Sequence, residues 1–156
     1  MTIGETLRSK FGDSIEKIEM VDDKPNALVK ADAVADICRF AHDDPDLAMD
    51  YLECLTAIDW QDRFEVVYHL FSIEKGHWLV LRASLPHDEP KIGTVTSVWN
   101  AANWFEREVF DLFGVEFLGH PDLRRIMMPD DWIGHPLRKD YTFIDDPNDP
   151  IGPGPA

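Results

Sequence analysis

Cysteine is nearly absent from this chain. Cys38 and Cys54 are the only two in 156 residues, and they form no CxxC pair. Two such thiols cannot by themselves hold an iron–sulfur cluster or a structural zinc. They read as buried free thiols of a reducing compartment. Long apolar runs are missing too: nothing approaches the ~18 residues of a membrane span. The first ten residues, Met1 to Lys10, lack the apolar core of a secretion signal, so membrane contact is expected only through a partner. Positive charge is scarce, with 15 Lys and Arg against 30 Asp and Glu and a net charge of −15. That balance argues against nucleic acid as the main partner and against docking on anionic lipid. The phosphate-cradling patterns GxxxxGK[ST] and GxGxxG and the zinc pattern HExxH do not occur either.

What is present suits one folded domain. The hydrophobic share is 44%, and a chain of this length buries a real core. Residues 2–11 form a short helix through Leu7 and Phe11, and Ile15–Met20 and Ala27–Lys30 read as strands about a turn at 22–26. Asp32 caps a helix whose Val34, Ile37, Cys38 and Ala41 recur at helical spacing. Pro45 restarts a short helix reaching about Asp50. Three strands follow. Leu52, Cys54, Thr56, Ile58 and Trp60 share one side of the first; Phe64–Ile73 is apolar on both faces and so interior to the sheet; Trp78–Leu85 is the third. Short spacers make these consecutive antiparallel hairpins. The fold class is α+β: a mostly antiparallel sheet with helices packed on it, followed by an extended C-terminal docking arm. The expected divisions are an α+β domain over 1–113, the arm over 114–141, and a disordered tail over 142–156, which is rich in Pro, Gly and Asp.

The stretch from Asn103 to Tyr141 carries the chemistry. Asn100 caps a helix over roughly 101–113, in which Ala101, Ala102, Phe105, Val109, Leu112 and Phe113 make one apolar arc. Asn103, Arg107 and Asp111 fall opposite, as a solvated face. Glu106 and Glu108 fall at the edges of the buried stripe, where a carboxylate needs a partner. They reach water, pair with basic residues of the arm, or meet another protein's cations. Acid–base catalysis by the pair lacks an accompanying nucleophile or metal site.

Beyond the helix the pattern Gly-His-Pro occurs twice, at Gly119-His120-Pro121 and Gly134-His135-Pro136. The first precedes Leu123-Arg124-Arg125 and the second Leu137-Arg138-Lys139. Glycine and proline fix a bend in each copy, so each reads as a rigid turn that anchors a leucine and aims two cations outward for pairing with carboxylates. Met127, Met128 and Trp132 lie between the copies, interrupted by Pro129, and suit an adaptable apolar contact. His120 and His135, with Asp122 and Asp140, are of metal-ligand type but lack helical ligand spacing. An arm packed only on its own domain is the plain alternative to a docking arm.

These residues carry a family resemblance. The run from Glu106-Arg107-Glu108 through Asp111, His120, Arg124 and Ile126, closing on Gly134-His135-Pro136-Leu137-Arg138-Lys139-Asp140-Tyr141, resembles the C-type (thirty-kilodalton) subunit of the proton-pumping NADH–quinone oxidoreductase, respiratory complex I. Thr142 departs from the proline usual in that family. The resemblance implies a peripheral-arm subunit with no redox centre of its own, bound chiefly to a subunit of the D type near the quinone-reducing end. The complex would use FMN, iron–sulfur clusters, NADH and quinone, and would lie on the cytoplasmic side of a bacterial inner membrane. Equivalent subunits of membrane-bound hydrogenases or of ferredoxin- or F420-dependent complexes are a second reading. A stand-alone metal or acid–base enzyme using His120 and His135 is a third. The docking residues implied are Glu106, Arg107, Glu108, Asp111, His120, Arg124, Arg125, Met127, Met128, Trp132, His135, Arg138 and Lys139.

Two outcomes are expected from the sequence. Replacing Arg124 and Arg125 together by Ala weakens assembly and leaves the isolated fold intact. Deleting residues 142–156 leaves soluble yield and thermal midpoint unchanged, because such a composition buries little.

Overall fold

The computed structural model describes residues 2–142; the tail from 143 onward lies outside them. The chain starts with helix α1, Ile3–Phe11. Thr2 Oγ1 accepts the Glu5 N–H at 3.2 Å, and the Glu5 carboxylate accepts the Thr2 N–H at 2.7 Å. This reciprocal cap satisfies two donors that a helix start leaves open. Strands β1, Ile15–Val21, and β2, Lys24–Val29, form a hairpin. Its turn residues Asp22 and Asp23 have φ of 49° and 59°, the left-handed geometry that matches strand twist.

Helix α2, Val34–Asp43, buries Val34, Ile37, Cys38 and Ala41 as its spacing predicts. Asp32 does not cap it: a 3-10 turn, Ala31–Ala33, leads in, and the capping residue Ala33 makes no side-chain bond. The expected helix after Pro45 is a turn instead. Asp44 Oδ1 accepts the N–H groups of Asp46 and Leu47 at 3.0 and 3.1 Å. Those bonds open a turn as a helix cap does, but it stops at Ala48, whose φ of 45° is left-handed.

Strands β3, Tyr51–Asp59, β4, Arg63–Ser72, and β5, His77–Pro86, form the antiparallel meander. The sheet order is β1-β2-β5-β4-β3. The helical crossover carries the chain to the far edge, and the meander brings β5 back beside β2, in parallel. One register prediction fails. The pairing shifts between Leu52 and Cys54, so Leu55, Ala57 and Asp59 face the core while Cys54 and Thr56 are half-buried and Ile58 and Trp60 exposed. An extra residue in one strand flips every side chain beyond it. Of the two thiols only Cys38 is buried.

A second, two-stranded sheet escapes the sequence reading. Strand β6, Lys91–Gly93, helix α3, Ala102–Phe113, and strand β7, Glu116–Leu118, form a β-α-β unit with the strands parallel. Three-residue strands leave too little pattern to read. The cap of α3 is Ala101 rather than Asn100, without a side-chain bond, and Ala101 itself is exposed. Gly114 ends α3 in the left-handed conformation, φ 78°, as helix ends favour. The core between the large sheet and its helices gathers Phe64, Tyr68, Leu79, Leu81, Ile92, Val109 and Phe117. Among the described residues no helix is long and apolar enough to cross a membrane.

Leu81 is fully buried on the central strand. Leu81→Ala is expected to cost about 3 kcal/mol through lost burial and the cavity left, read as a lower urea midpoint at unchanged slope.

Candidate functional site at the end of helix α3

The last turn of a helix leaves carbonyls without partners. In α3 they are met almost entirely by the segment that follows. His135 Nδ1 donates to the Asp111 carbonyl at 2.8 Å, and the Leu137 N–H donates to the Leu112 carbonyl at 3.0 Å. Arg138 Nη1 reaches the Phe113 carbonyl at 3.4 Å, and the Gly114 N–H takes that of Phe110 at 2.9 Å. A cation or donor here also complements the negative end of the helix dipole. Gly114 is required sterically as well, because an added Cβ would stand 2.6 Å from the His135 ring.

Asp111 is the centre of this arrangement. Its side chain is fully buried. Oδ2 accepts three consecutive backbone N–H groups, of Ile126, Met127 and Met128, at 3.1, 2.7 and 2.8 Å. Oδ1 accepts Arg125 Nη1 at 2.7 Å, and Arg125 Nη2 goes on to the Gly134 carbonyl at 2.8 Å. Burial alone would raise the carboxyl pKa, but the backbone donors and the guanidinium outweigh it and hold the group below the ordinary aspartate range. Arg107 works beside it: Nε donates to the Arg124 carbonyl at 3.1 Å and Nη2 to that of Arg125 at 3.3 Å, with its guanidinium 5.2 Å from the Trp104 ring centre. The expectation of a solvated Arg107–Asp111 face is therefore overturned. Backbone beyond the helix supplies their partners, which helical periodicity cannot foresee.

The two glutamates part company. Glu106 is fully buried, with the Thr94 hydroxyl at 2.5 Å and the Val95 N–H at 2.7 Å on its two oxygens. Glu108 is exposed. Two residues apart on a helix they point to different sides and form no catalytic pair. The histidines do not share a site either. His120 Nε2 donates to the Asn103 carbonyl at 3.2 Å near the start of α3, whereas His135 caps its end. Eight residues along a helix separate those carbonyls by roughly 12 Å.

The outward-cation expectation holds for one residue in each repeat. Arg124 is exposed and pairs with Asp122 at 2.9 Å, while Arg125 turns inward. Lys139 is exposed, while Arg138 lies over the Phe64 ring, 5.1 Å from its centre, and reaches His87 and Asp140. Leu123 packs on the core, but Leu137 is 52% exposed. Met128 and Trp132 are half-buried, and the buried Trp132 Nε1 has no hydrogen-bond partner among the described residues. Met127, Ile133 and Trp104 are 61%, 69% and 64% exposed.

Sequence reading missed Asp59 and His87. Asp59 accepts the Lys139 N–H at 2.8 Å and the Gln61 N–H at 2.7 Å, and pairs with His87 at 3.1 Å. His87 stacks flat on Phe64, ring centres 4.5 Å apart. Asp59, His87 and Asp140 bring three ligand-type atoms within 4.8 Å of one another. Arg138 and the Lys139 N–H already engage them, so the cluster works as a second clasp on the segment. An aspartate on the core-facing register of a strand end was the available signal, hidden by the bulge.

Comparison with known proteins follows the same residues. The family model described as "Respiratory-chain NADH dehydrogenase, 30 Kd subunit" matches residues 27–147. The C-type subunit of NADH-quinone oxidoreductase from Geobacter sulfurreducens is 46% identical over 143 residues, 88% of this chain and 86% of that protein. The C-type subunit from Roseiflexus sp. (strain RS-1) is 41% identical over 145 residues, 91% and 83% of the two chains. Among solved structures, a trypsin-resistant fragment of Nqo5 superposes with a TM-score of 0.65 at 29% identity, covering 79% of this chain and all of that one. A chain of the membrane-bound sulfane sulfur reductase, an archaeal respiratory membrane complex, superposes with a TM-score of 0.75 at 26% identity, covering 91% and 85%.

The geometry revises the arginine expectation. Arg124→Ala leaves the isolated chain's stability within about 0.5 kcal/mol. Arg125→Ala strands the buried Asp111 carboxylate and costs about 3 kcal/mol; urea unfolding separates them. Because the Asp111 pKa is lowered by folding, its stabilisation is whole above the unfolded value and is lost as pH falls through the folded one. Asp111→Asn is expected to flatten the acid limb of the stability–pH curve.

Proposed function

Given that the chain belongs to the family of the 30-kDa subunit of respiratory-chain NADH dehydrogenase, we propose that it is a non-redox structural subunit of an NADH:quinone oxidoreductase. In this reading it sits in the peripheral part of the complex, on the cytoplasmic side of the inner membrane, and docks on the quinone-site subunit, of the D type. The complex transfers electrons from NADH to quinone and couples this to proton translocation. FMN, iron–sulfur clusters and the quinone site belong to other subunits; Cys38 on α2 and Cys54 on β3 do not supply a cluster's ligand set. The chain's part is to hold its neighbours in register.

The observation that supports this most is the state of segment 114–141. Its backbone is fixed to α3 by Asp111, Arg107, Arg125, His135 and Arg138, yet Met127, Ile133 and Leu137 remain more than half exposed. A rigid segment that leaves large apolar side chains in water is pre-organised for another surface. Arg124 and Lys139 at its margin would meet partner carboxylates, and Met128 and Trp132 lie half-buried beneath. Glu106, Asp111, His120 and His135 shape the segment rather than touch the partner, and Glu108 stays on the open side of α3.

A second reading takes the equivalent subunit of a membrane-bound hydrogenase-type or ferredoxin- or F420-dependent complex, and rests on the likeness to the sulfane sulfur reductase chain. Gentle purification of the tagged chain from its own membranes, followed by mass spectrometry, decides between them. Flavin, iron–sulfur and quinone-site subunits together are the expected result; a nickel–iron hydrogenase subunit selects the second reading, and a chain without partners overturns both. Met127→Asp with Ile133→Asp should abolish that co-purification, because each buries an unpaired charge in the contact. The isolated variant should keep its thermal midpoint within a few degrees, as surface substitutions do.

A further inference from the structure

Glu106 is a carboxylate walled into the core. Its oxygens hold the loop after β6, through the Val95 N–H at 2.7 Å and the Thr94 hydroxyl at 2.5 Å. Facing it at 3.9 Å is His120 Nε2, and the side chains of both residues are fully buried. Cys38 of α2 and Tyr68 of β4 are the other ionisable groups that feel its charge; burial first, and then nearby charge including this carboxylate, pushes both up, so both stay neutral. Among the described residues neither lysine nor arginine pairs with it.

We propose that Glu106, Thr94 and His120 form a proton-operated latch at the root of segment 119–128, in which the charge on Glu106 decides which oxygen receives the His120 Nε2–H. His120 Nδ1 accepts the Asp122 N–H at 3.0 Å, so the ring hydrogen is on Nε2. At 3.2 Å it points to the Asn103 carbonyl, with the Glu106 carboxylate its alternative acceptor. Thr94 makes both charge states tolerable. When Glu106 is ionised, the Thr94 hydroxyl donates to it. When Glu106 is protonated, its O–H donates to Thr94 Oγ1, and the threonine turns its own hydrogen to Thr96 Oγ1, 3.0 Å away. One proton is taken from or returned to water, the half-exposed Thr94–Thr96 pair being the way out, and every donor keeps an acceptor.

Ionisation draws the Nε2–H from Asn103 toward Glu106, because a charged acceptor binds a donor more strongly than a neutral carbonyl does. The ring cannot turn without Asp122, whose N–H it holds. The root of the segment therefore moves with the proton. Burial pushes the Glu106 carboxyl up to about 7, against the two hydrogen bonds that lower it, so the exchange falls within the working range of a cell. The latch operates whichever partner the segment meets.

Carboxyl-13C glutamate and ring-15N histidine labelling of the full chain tests this. The expected result is a Glu106 carboxyl titrating near 7, with the His120 Nε2 resonance and the Asp122 amide moving at the same midpoint. Glu106→Gln should erase that step from His120 and Asp122. A Glu106 titration among ordinary carboxylates overturns the proposal, as does a Glu106 step that His120 and Asp122 do not follow. The wild-type titration decides alone should the variant not fold.

Discussion

One carboxylate organises the segment that follows helix α3. A buried aspartate in the last turn of a helix is unfavourable twice over, since it is desolvated and it faces the negative end of the dipole. Asp111 is tolerated because three successive N–H groups and a guanidinium converge on it. That convergence fixes the path of residues 125–128, and the path sets which side chains face outward. Arg125 and Arg138 are drawn in to serve the helix end, so Arg124 and Lys139 are left for solvent or a neighbour. The exposed Met127, Ile133 and Leu137 are a result of the same geometry. Remove the carboxylate and residues 126–128 lose the acceptor of three N–H groups, while Arg107, His135 and the Asp59 clasp still hold the segment at other points.

The parts legible in the sequence were those governed by a period. The stripe of Val34, Ile37, Cys38 and Ala41 on α2, the doubly apolar β4 and the meander all follow from spacing alone. Illegible were features in which a side chain overrides the period. The slip at Leu52–Cys54 reversed the faces of β3. The left-handed Ala48, φ 45°, stopped the helix expected after Pro45 within one turn. Arg107 and Asp111 counted as a wet face because a helical wheel knows only the helix, while their partners lie at least fourteen residues onward. The Gly-His-Pro repeat was plain to see, but its symmetry misled: His120 and His135 serve opposite ends of α3.

Misplaced polarity nonetheless carried the right hint. Glu106 at a stripe edge signalled a buried carboxylate that needed partners, and it has them in Thr94 and Val95. The β-α-β unit explains why those partners come from ahead of the helix. Parallel pairing of β6 with β7 returns the chain to the level at which α3 began, so residues before and after the helix meet around its first buried turn. Asp111 then governs the far end, and the two carboxylates divide the helix between them.

The hydrogen bond from the Lys139 N–H to Asp59 joins residues eighty apart in the chain. Strand β3 is synthesised ahead of Lys139, and its end must wait for the chain between them to emerge before this contact closes. Until then Asp59 has only Gln61 and His87 as partners, and the surface carrying Leu137 and Lys139 has no fixed outline. A nascent or prematurely terminated chain would therefore present a folded sheet with an unfinished face. That single contact ties the outline of the outer segment to the edge strand of the large sheet.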